Sequence, residues 1–457
     1  MLRIAVAQTP GTRLDQWRGT LVLVDELIHG ARQRDAQLVV LPECVWPAYC
    51  IGSPGEYFAA RRGGLPDDAF FANWLAERAR RERLSICAGL ITEQGTSLRN
   101  TALLTSHTGE LLGRHEKCFL WDFDHDCFQP GERIDPIDSP LGRLGVLICA
   151  DARLPEIAAT LVARGARFLL QPTAWVDVGA PGRPWNPQPD FLIRARALEF
   201  GVPIASASKY GREGDARFVG SSLICDAHGE VRAQCGPAET ALAVADVEPC
   251  DPQPPAVSPE QRRALLAASA LAPRTAVPLP LHVLAVRGSG SGALEAVAAS
   301  PGSGLDALPT LILSGEAKGG GPACALCDGG SPRWLHAGCE TPAGGVRIAV
   351  LSDRDAKRFA AARCHALRGA HLIVVLGDEI VECLLQARAM ENRVFVLQVG
   401  ASGFALYEPG GRLARSARWP APGERVCFSL ELSVAEAKEL ARDTNVITGR
   451  TPERYQF

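Results

Sequence analysis

The first 250 residues switch repeatedly between two hydrophobic periods. Residues 2–8 and 37–41 are short apolar runs that predict strands, and they flank a helical pattern from about Asp15 to Arg34 with Leu21, Val24, Leu27 and Ile28 on one face. A turn-rich stretch with Trp46, Pro47, Tyr49 and Tyr57 comes after Glu43 and reads as a pocket loop. A helix is predicted over Asp67 to about Arg83, then strands over Ser85–Ile91 and Ala102–Thr105 that lead to Lys117. Leu144, Val146, Leu147 and Ile148 form an uncharged run suited to a buried strand. From Pro155 the period becomes helical, with Ile157, Leu161 and Val162 on one face and Gly165 closing it. Cys149 therefore stands at a strand-to-helix elbow. A strand over Arg167–Leu170, a helix over Gln188–Phe200 and strands over Pro203–Ala207 and Gly220–Cys225 complete the pattern, which predicts a layered α/β domain.

Residues 248–280 hold many prolines around the helical patch SPEQRRALLAASALA, and this shift in composition marks a domain boundary, with a linker over 256–280. Beyond the linker the chain echoes its first half. HVLAV at His282–Val286 echoes RIAVA, TLILSGE ending at Glu316 echoes LVVLPE, and the run from Val346 echoes the elbow, its helix and the next strand. ARAMEN at Ala387–Asn392 echoes ARALEF, and FALYEPGGRL from Phe404 echoes SLICDAHGEV. Residues 281–457 are therefore expected to be a second copy of the same domain, shortened in its middle. Aligning the echoes puts Asp353 where Cys149 stands, and no lysine matches Lys117, so this copy is expected to be inactive.

Composition narrows the function. With 457 residues, 47% of them hydrophobic, and a formal charge of -3, a sizeable core is possible and nothing points to nucleic acid. No apolar run reaches membrane-spanning length and the chain starts directly on a strand, so a cytoplasmic protein with no membrane partner is expected. Its 15 cysteines are then expected to be reduced thiols. The arms CxxC and HxxC, Cys324, Cys327, His336 and Cys339, supply four ligands of a number and type that suit a structural zinc. No catalytic metal or other cofactor is called for.

Three strand ends carry the candidate chemistry: Glu43 after LVVLP, Lys117 in HEKCFLW and Cys149 in ICADARLPE. An elbow at the carboxyl edge of a sheet is where a nucleophile and backbone N–H donors can meet a ligand. Together with RIAVAQ, FQPG, PTAW and RALE in the same order, these segments of residues 1–255 resemble the nitrilase, or carbon-nitrogen hydrolase, superfamily. The resemblance implies a four-layer αββα sandwich, here in two copies, and a Glu43, Lys117, Cys149 triad. It implies a thioester on Cys149, Glu43 as proton carrier and Lys117 at the oxyanion, with a small-molecule amide and water as partners. The chain departs from the family at Phe200, where an asparagine is common, at Ala150, where an aromatic is common, and at Asp124, the nearest counterpart of a second glutamate. The segment after Cys149 is closer to amidases and carbamoylases than to nitrilases; nitrile hydrolysis, acyl transfer by the same triad, and a non-catalytic binding or scaffold protein are the alternatives. Because the family pairs its sandwiches into dimers, the tandem implies an intramolecular pseudo-dimer, with further homo-oligomers open.

Overall fold

Strand β1 (Leu2–Pro10) is buried along nearly its whole length, with Ile4 to Ala7 as its apolar stretch and Gln8 and Thr9 buried beyond it, and it lies inside an eight-stranded sheet. A computed structural model describes residues 1–251, 256–267, 279–289, 310–316, 322–327, 333–343, 345–421, 425–432, 446–447 and 450–457. The first sheet joins β1 to β2 (Leu38–Val40), β3 (Ser85–Gln94), β4 (Ser97–Thr105), β5 (Leu111–Glu116), β10 (Lys209–Glu213), β11 (Ala216–Val219) and β14 (Ala241–Val247) in the order β11-β10-β1-β2-β3-β4-β5, with β14 also on β1. The second runs β13-β12-β9-β8-β7-β6, from β6 (Ile137–Ser139), β7 (Gly142–Val146), β8 (Phe168–Pro172), β9 (Ile204–Ala207), β12 (Leu223–Cys225) and β13 (Val231–Gln234). The two sheets pack face to face through β1, β2 and β3 against β8 and β9.

Helices cover both outer faces. On the first sheet lie α1 (Trp17–Arg32), which buries Val24, Leu27, Ile28 and Ala31, and α3 (Asp68–Glu82), started by the Asp67 carboxylate accepting from Phe70 N at 2.9 Å. On the second lie α5 (Pro155–Ala163) and α6 (Ile193–Phe200). The expected αββα layering is thus the observed one. Two short helices, α2 (Pro54–Arg62) and α4 (Asp124–Cys127), come after the Glu43 and Lys117 turns. One expectation changes: α5 is buried from Pro155 to Val162 rather than on one face.

The chain divides into two compact units, 1–255 with 442–457, and 256–441. The second unit differs from the expected second domain, 281–457, at both ends. Helix α7 (Pro259–Leu266), placed in the linker by its prolines, packs on the helix Phe359–Leu367 inside the second unit. The final residues belong with the first unit. Residues 252–255 and 268–278 of the linker region lie outside the described residues, as does the side chain of Glu316.

The second unit has a sheet ordered β18-β17-β16-β15-β25, from β15 (Leu279–Ser289), β16 (Thr310–Glu316), β17 (Ala323–Cys327), β18 (Arg333–Leu335) and β25 (Arg425–Leu432). Its other sheet, β19-β20-β21-β22-β23-β24, comprises β19 (Glu340–Ala343), β20 (Val346–Ser352), β21 (Leu372–Leu376), β22 (Phe395–Val399), β23 (Gly403–Tyr407) and β24 (Leu413–Arg418). This second sheet repeats the order and directions of β6-β7-β8-β9-β12-β13. The first sheet does not: β2 and β3 are parallel, whereas β16 and β17 are antiparallel. Between Glu316 and Ala323 there is no room for the crossover that a parallel pair needs, so the shortened middle reverses the strand.

That strand separates two of the four expected zinc ligands. Cys324 and Cys327 lie on β17 three residues apart, which turns them to opposite faces. Cys324 enters the core between the sheets, while Cys327 packs on a separate cluster with Leu284 and Ile312. Among the described residues no three His, Cys, Asp or Glu side chains are placed to hold a metal ion, so Cys324, Cys327, His336 and Cys339 form no such group. Among the described residues, likewise, no helix is long and apolar enough to cross a membrane.

Candidate active site

Glu43, Lys117 and Cys149 each stand just past the carboxyl end of a strand, β2, β5 and β7 respectively. Glu43 is set by a close backbone approach. Gly89 N donates to Pro42 O at 3.2 Å and Val45 N donates to Gly89 O at 3.0 Å. A Cβ at Gly89 would lie 2.6 Å from Glu43 Cα, a contact that backbone must move to relieve. Gly89→Ala is therefore expected to lower kcat roughly 10- to 100-fold by displacing Glu43. Steady-state rates beside a thermal melt check this; an unchanged kcat would show that the turn has slack.

Lys117 Nζ lies 2.7 Å from Glu43 Oε1 and 2.7 Å from Asp124 Oδ2, with all three side chains fully buried. Its third hydrogen reaches Tyr49 Oη at 3.4 Å, and Tyr49 Oη donates to Asp124 Oδ1 at 2.8 Å. Trp121 N donates to Asp124 Oδ2 at 2.8 Å. Asp124 thus stands beside the lysine although its side chain is one methylene shorter than the glutamate expected there. Asn100 Nδ2 donates to Glu43 Oε1 at 2.7 Å, which leaves Glu43 Oε2 buried and without a partner among the described residues.

Cys149 adopts a left-handed conformation, φ 45°, in the elbow between β7 and α5. Gln188 Nε2 approaches its sulfur at 3.8 Å, and the Ala174 carbonyl lies at 4.0 Å. Gln171 Nε2 donates to Cys149 O at 3.0 Å and to Gln188 Oε1 at 2.9 Å, and Ser206 Oγ donates to Gln171 Oε1 at 2.7 Å. Asp151 ties the elbow to the Lys117 turn. It accepts from Ile148 N at 2.9 Å, from Cys118 N at 3.0 Å and from Phe119 N at 2.8 Å, and its Oδ2 is 3.0 Å from His115 Nε2.

Burial is the largest influence on the Cys149 thiol and pushes it up to about 11; Glu43 pushes the same way, while Lys117 and the Thr173 hydroxyl pull it down. Burial also raises the Glu43 carboxyl, aided by Asp124 and opposed by Lys117 and Asn100. Burial alone would disfavour the Lys117 ammonium, but Asp124 and Glu43 outweigh it and hold the lysine well above its ordinary value. Burial thus favours the neutral thiol at Cys149, while Asp124 and Glu43 favour the cation at Lys117.

Asn100, Gln171, Gln188 and the His115–Asp151 pair were not legible as site residues. Asn100 could have been flagged as an amide inside an apolar strand, RNTALLT. His115 and Asp151 lie inside HEKCFLW and ICADARLPE, but nothing in either motif says that they pair.

The second unit differs at the matching place. Ser352 caps the turn Asp353–Ala356 by accepting from Asp355 N at 3.1 Å, and Asp353, at its first position, lacks the left-handed backbone of Cys149. The carboxylate of Asp353 accepts from Arg354 N at 2.7 Å and from Glu379 N at 3.0 Å.

The carbon-nitrogen hydrolase family profile matches residues 3–251. An omega-amidase of Xenopus laevis is 32% identical over 230 residues, covering 48% of this chain and 79% of the relative. A deaminated glutathione amidase of Yersinia enterocolitica is 34% identical over 183 residues, covering 37% of this chain and 62% of the relative. Among solved structures, an amidase from Nesterenkonia sp. AN1 is 28% identical with a TM-score of 0.46, covering 54% of this chain and 94% of that one.

Proposed function

The chain belongs to the carbon-nitrogen hydrolase family, and from that premise we propose that it hydrolyses a small-molecule amide through a thioester on Cys149, with Glu43 as proton carrier and Lys117 at the oxyanion. The observation that carries this reading is Lys117 Nζ at 2.7 Å from both Glu43 and Asp124, fully buried, near a left-handed cysteine. A thiol pushed to about 11 is neutral at physiological pH, so it needs a base in the step itself. Glu43 Oε2 takes the thiol proton as Sγ bonds to the carbonyl carbon. The oxyanion forms against Lys117 Nζ and the N–H of Ala150. Collapse breaks the C–N bond, and Glu43 gives its proton to the departing nitrogen, releasing ammonia or an amine. Water then attacks the thioester while Glu43 takes its proton, and the acid leaves as Sγ regains a hydrogen.

The names of the omega-amidase and glutathione-amidase relatives favour an amide over a nitrile for this chain. A panel of amides, carbamoyl compounds and nitriles, read by ammonia release together with the mass of the Cys149 peptide, tests the reading. Amide turnover with an acyl adduct on Cys149 is expected. Turnover of nitriles alone would overturn the amide assignment.

The second unit reads as a degenerate copy that contributes no chemistry. The carboxylate at Asp353 is hydrogen-bonded to backbone and cannot replace a thiol. The segment His336–Cys339 after β18 resembles His115–Cys118 at the end of β5, and in that register Gly338, φ 89°, stands where Lys117 does. Asp353→Asn should keep turnover within a few-fold of the parent. A loss of several orders of magnitude would identify a working second site.

A further inference from the structure

Residues 442–457 come last in the chain yet belong to the first unit, and their described part lies on the two elements that carry the candidate site. Arg450 Nε donates to Glu156 Oε1 at 2.8 Å, and the two side chains are only 5% and 0% exposed. Glu156 is in the first turn of α5, directly after the elbow that holds Cys149. Further along that helix, Gln456 N donates to Thr160 Oγ1 at 3.1 Å, and Thr160 Oγ1 donates to Glu156 O at 2.7 Å. Arg164 Nε donates to Gln456 Oε1 at 3.0 Å. The same segment also reaches the lysine turn: Arg454 Nη1 donates to Gly131 O, and Gly131 N donates to Lys117 O at 2.8 Å. Tyr455, buried, locks the segment's own shape, with Thr451 N donating to its Oη at 3.0 Å and the Arg450 guanidinium 6.0 Å from its ring.

We infer that residues 450–457 are a strap that sets the geometry of the candidate active site, Arg450 through Glu156 and α5, and Arg454 through Gly131 and the Lys117 backbone. Both arginines act through other residues rather than on the reacting atoms, so both are positioning residues. Removing the Arg450 cation from a carboxylate with no exposed surface favours its protonation or its movement toward water. Movement of Glu156 shifts the first turn of α5 and with it the elbow. Displacement of a reacting group by about 1 Å is enough to cost roughly 100-fold in rate. The strap rests on the reading of Cys149 as nucleophile, and it adds that the site is complete only when the far end of the chain has docked.

The test uses full-length Arg450→Met, Arg450→Lys and Arg454→Met, with two readouts taken well below each variant's melting temperature. One is kcat and KM for ammonia release. The other is the rate at which iodoacetamide alkylates Cys149, followed by mass spectrometry, which needs no substrate. Arg450→Met is expected to lower kcat roughly 10- to 100-fold with KM little changed, and to change the alkylation rate several-fold. Arg450→Lys, which still presents a cation to Glu156, should recover much of both, and Arg454→Met should fall between. If Arg450→Met fails to fold, the double variant Arg450→Met/Glu156→Gln removes both charges and keeps the readouts accessible. Parent-like kcat and alkylation in the methionine variants, whatever their melting temperatures, would overturn the strap. Activity surviving in Cys149→Ala would instead overturn Cys149 as the nucleophile, a failure distinguishable from that of the strap because the alkylation rates report the elbow geometry without any turnover.

Discussion

Cys149→Ala will fold like the parent and release no measurable ammonia, a loss on the order of 10⁴- to 10⁶-fold when a covalent nucleophile is removed. The fold should survive because alanine, like cysteine, carries a Cβ, so the left-handed backbone at φ 45° is no more strained than before. What disappears is the atom that forms the thioester, and no neighbour can stand in. The Gln188 amide near Sγ is not a nucleophile, and Lys117 is held as a cation by Glu43 and Asp124. The parent thiol should also betray its burial. With its pKa pushed up to about 11, only about one part in a thousand is thiolate at pH 8, so the iodoacetamide rate should keep rising through pH 9 and 10. A plateau near pH 8 would mean that Lys117 prevails over burial, and full activity in Cys149→Ala would sink the mechanism.

Lys117→Met should abolish turnover and also destabilise the protein in a pH-dependent way. Removing the ammonium leaves Glu43 and Asp124 buried with no cation between them, and breaking a buried ion pair from one side costs about 3–5 kcal/mol. The sign comes from Glu43. Its folded pKa is already raised by burial and by Asp124, and loss of Lys117 raises it further. A carboxyl raised on folding favours the folded state while it is protonated in both states, below its ordinary value near 4.5, and that advantage is lost as pH climbs through the raised folded value. The melting-temperature deficit of Lys117→Met relative to the parent should therefore be smallest near pH 5 and grow toward pH 8. A deficit independent of pH would show that the lysine's packing, not its charge, is what the site needs.

Much of this protein is written in local pattern. The runs at 2–8, 37–41 and 144–148 and the helical stretches between them are local properties of residue spacing, and so is the change of period that puts Cys149 at an elbow. Ordered motifs were enough to pick out Glu43, Lys117 and Cys149, because each lies just past a strand end and strand ends can be read from where an apolar run stops. The shortening of the second unit was equally visible as missing residues between Glu316 and Val346.

Only the tertiary structure decided which partners those residues have. Asp124 reaches Lys117, Asn100 reaches Glu43, and Asp151 binds the lysine turn to the elbow across separations of 7, 57 and 33 residues. No periodicity encodes such pairings, since they depend on which strands become neighbours. The same holds for β17, whose extended strand turns Cys324 and Cys327 to opposite faces although their spacing alone suits a metal. It holds most of all for residues 450–457. Their composition is that of an ordinary polar tail, and among the contacts that place them on α5 is a buried charge, Glu156, to which Arg450 donates from 294 residues away. Hydrophobic spacing acts within a few turns of chain, whereas a buried charge is satisfied by whatever the fold brings to it.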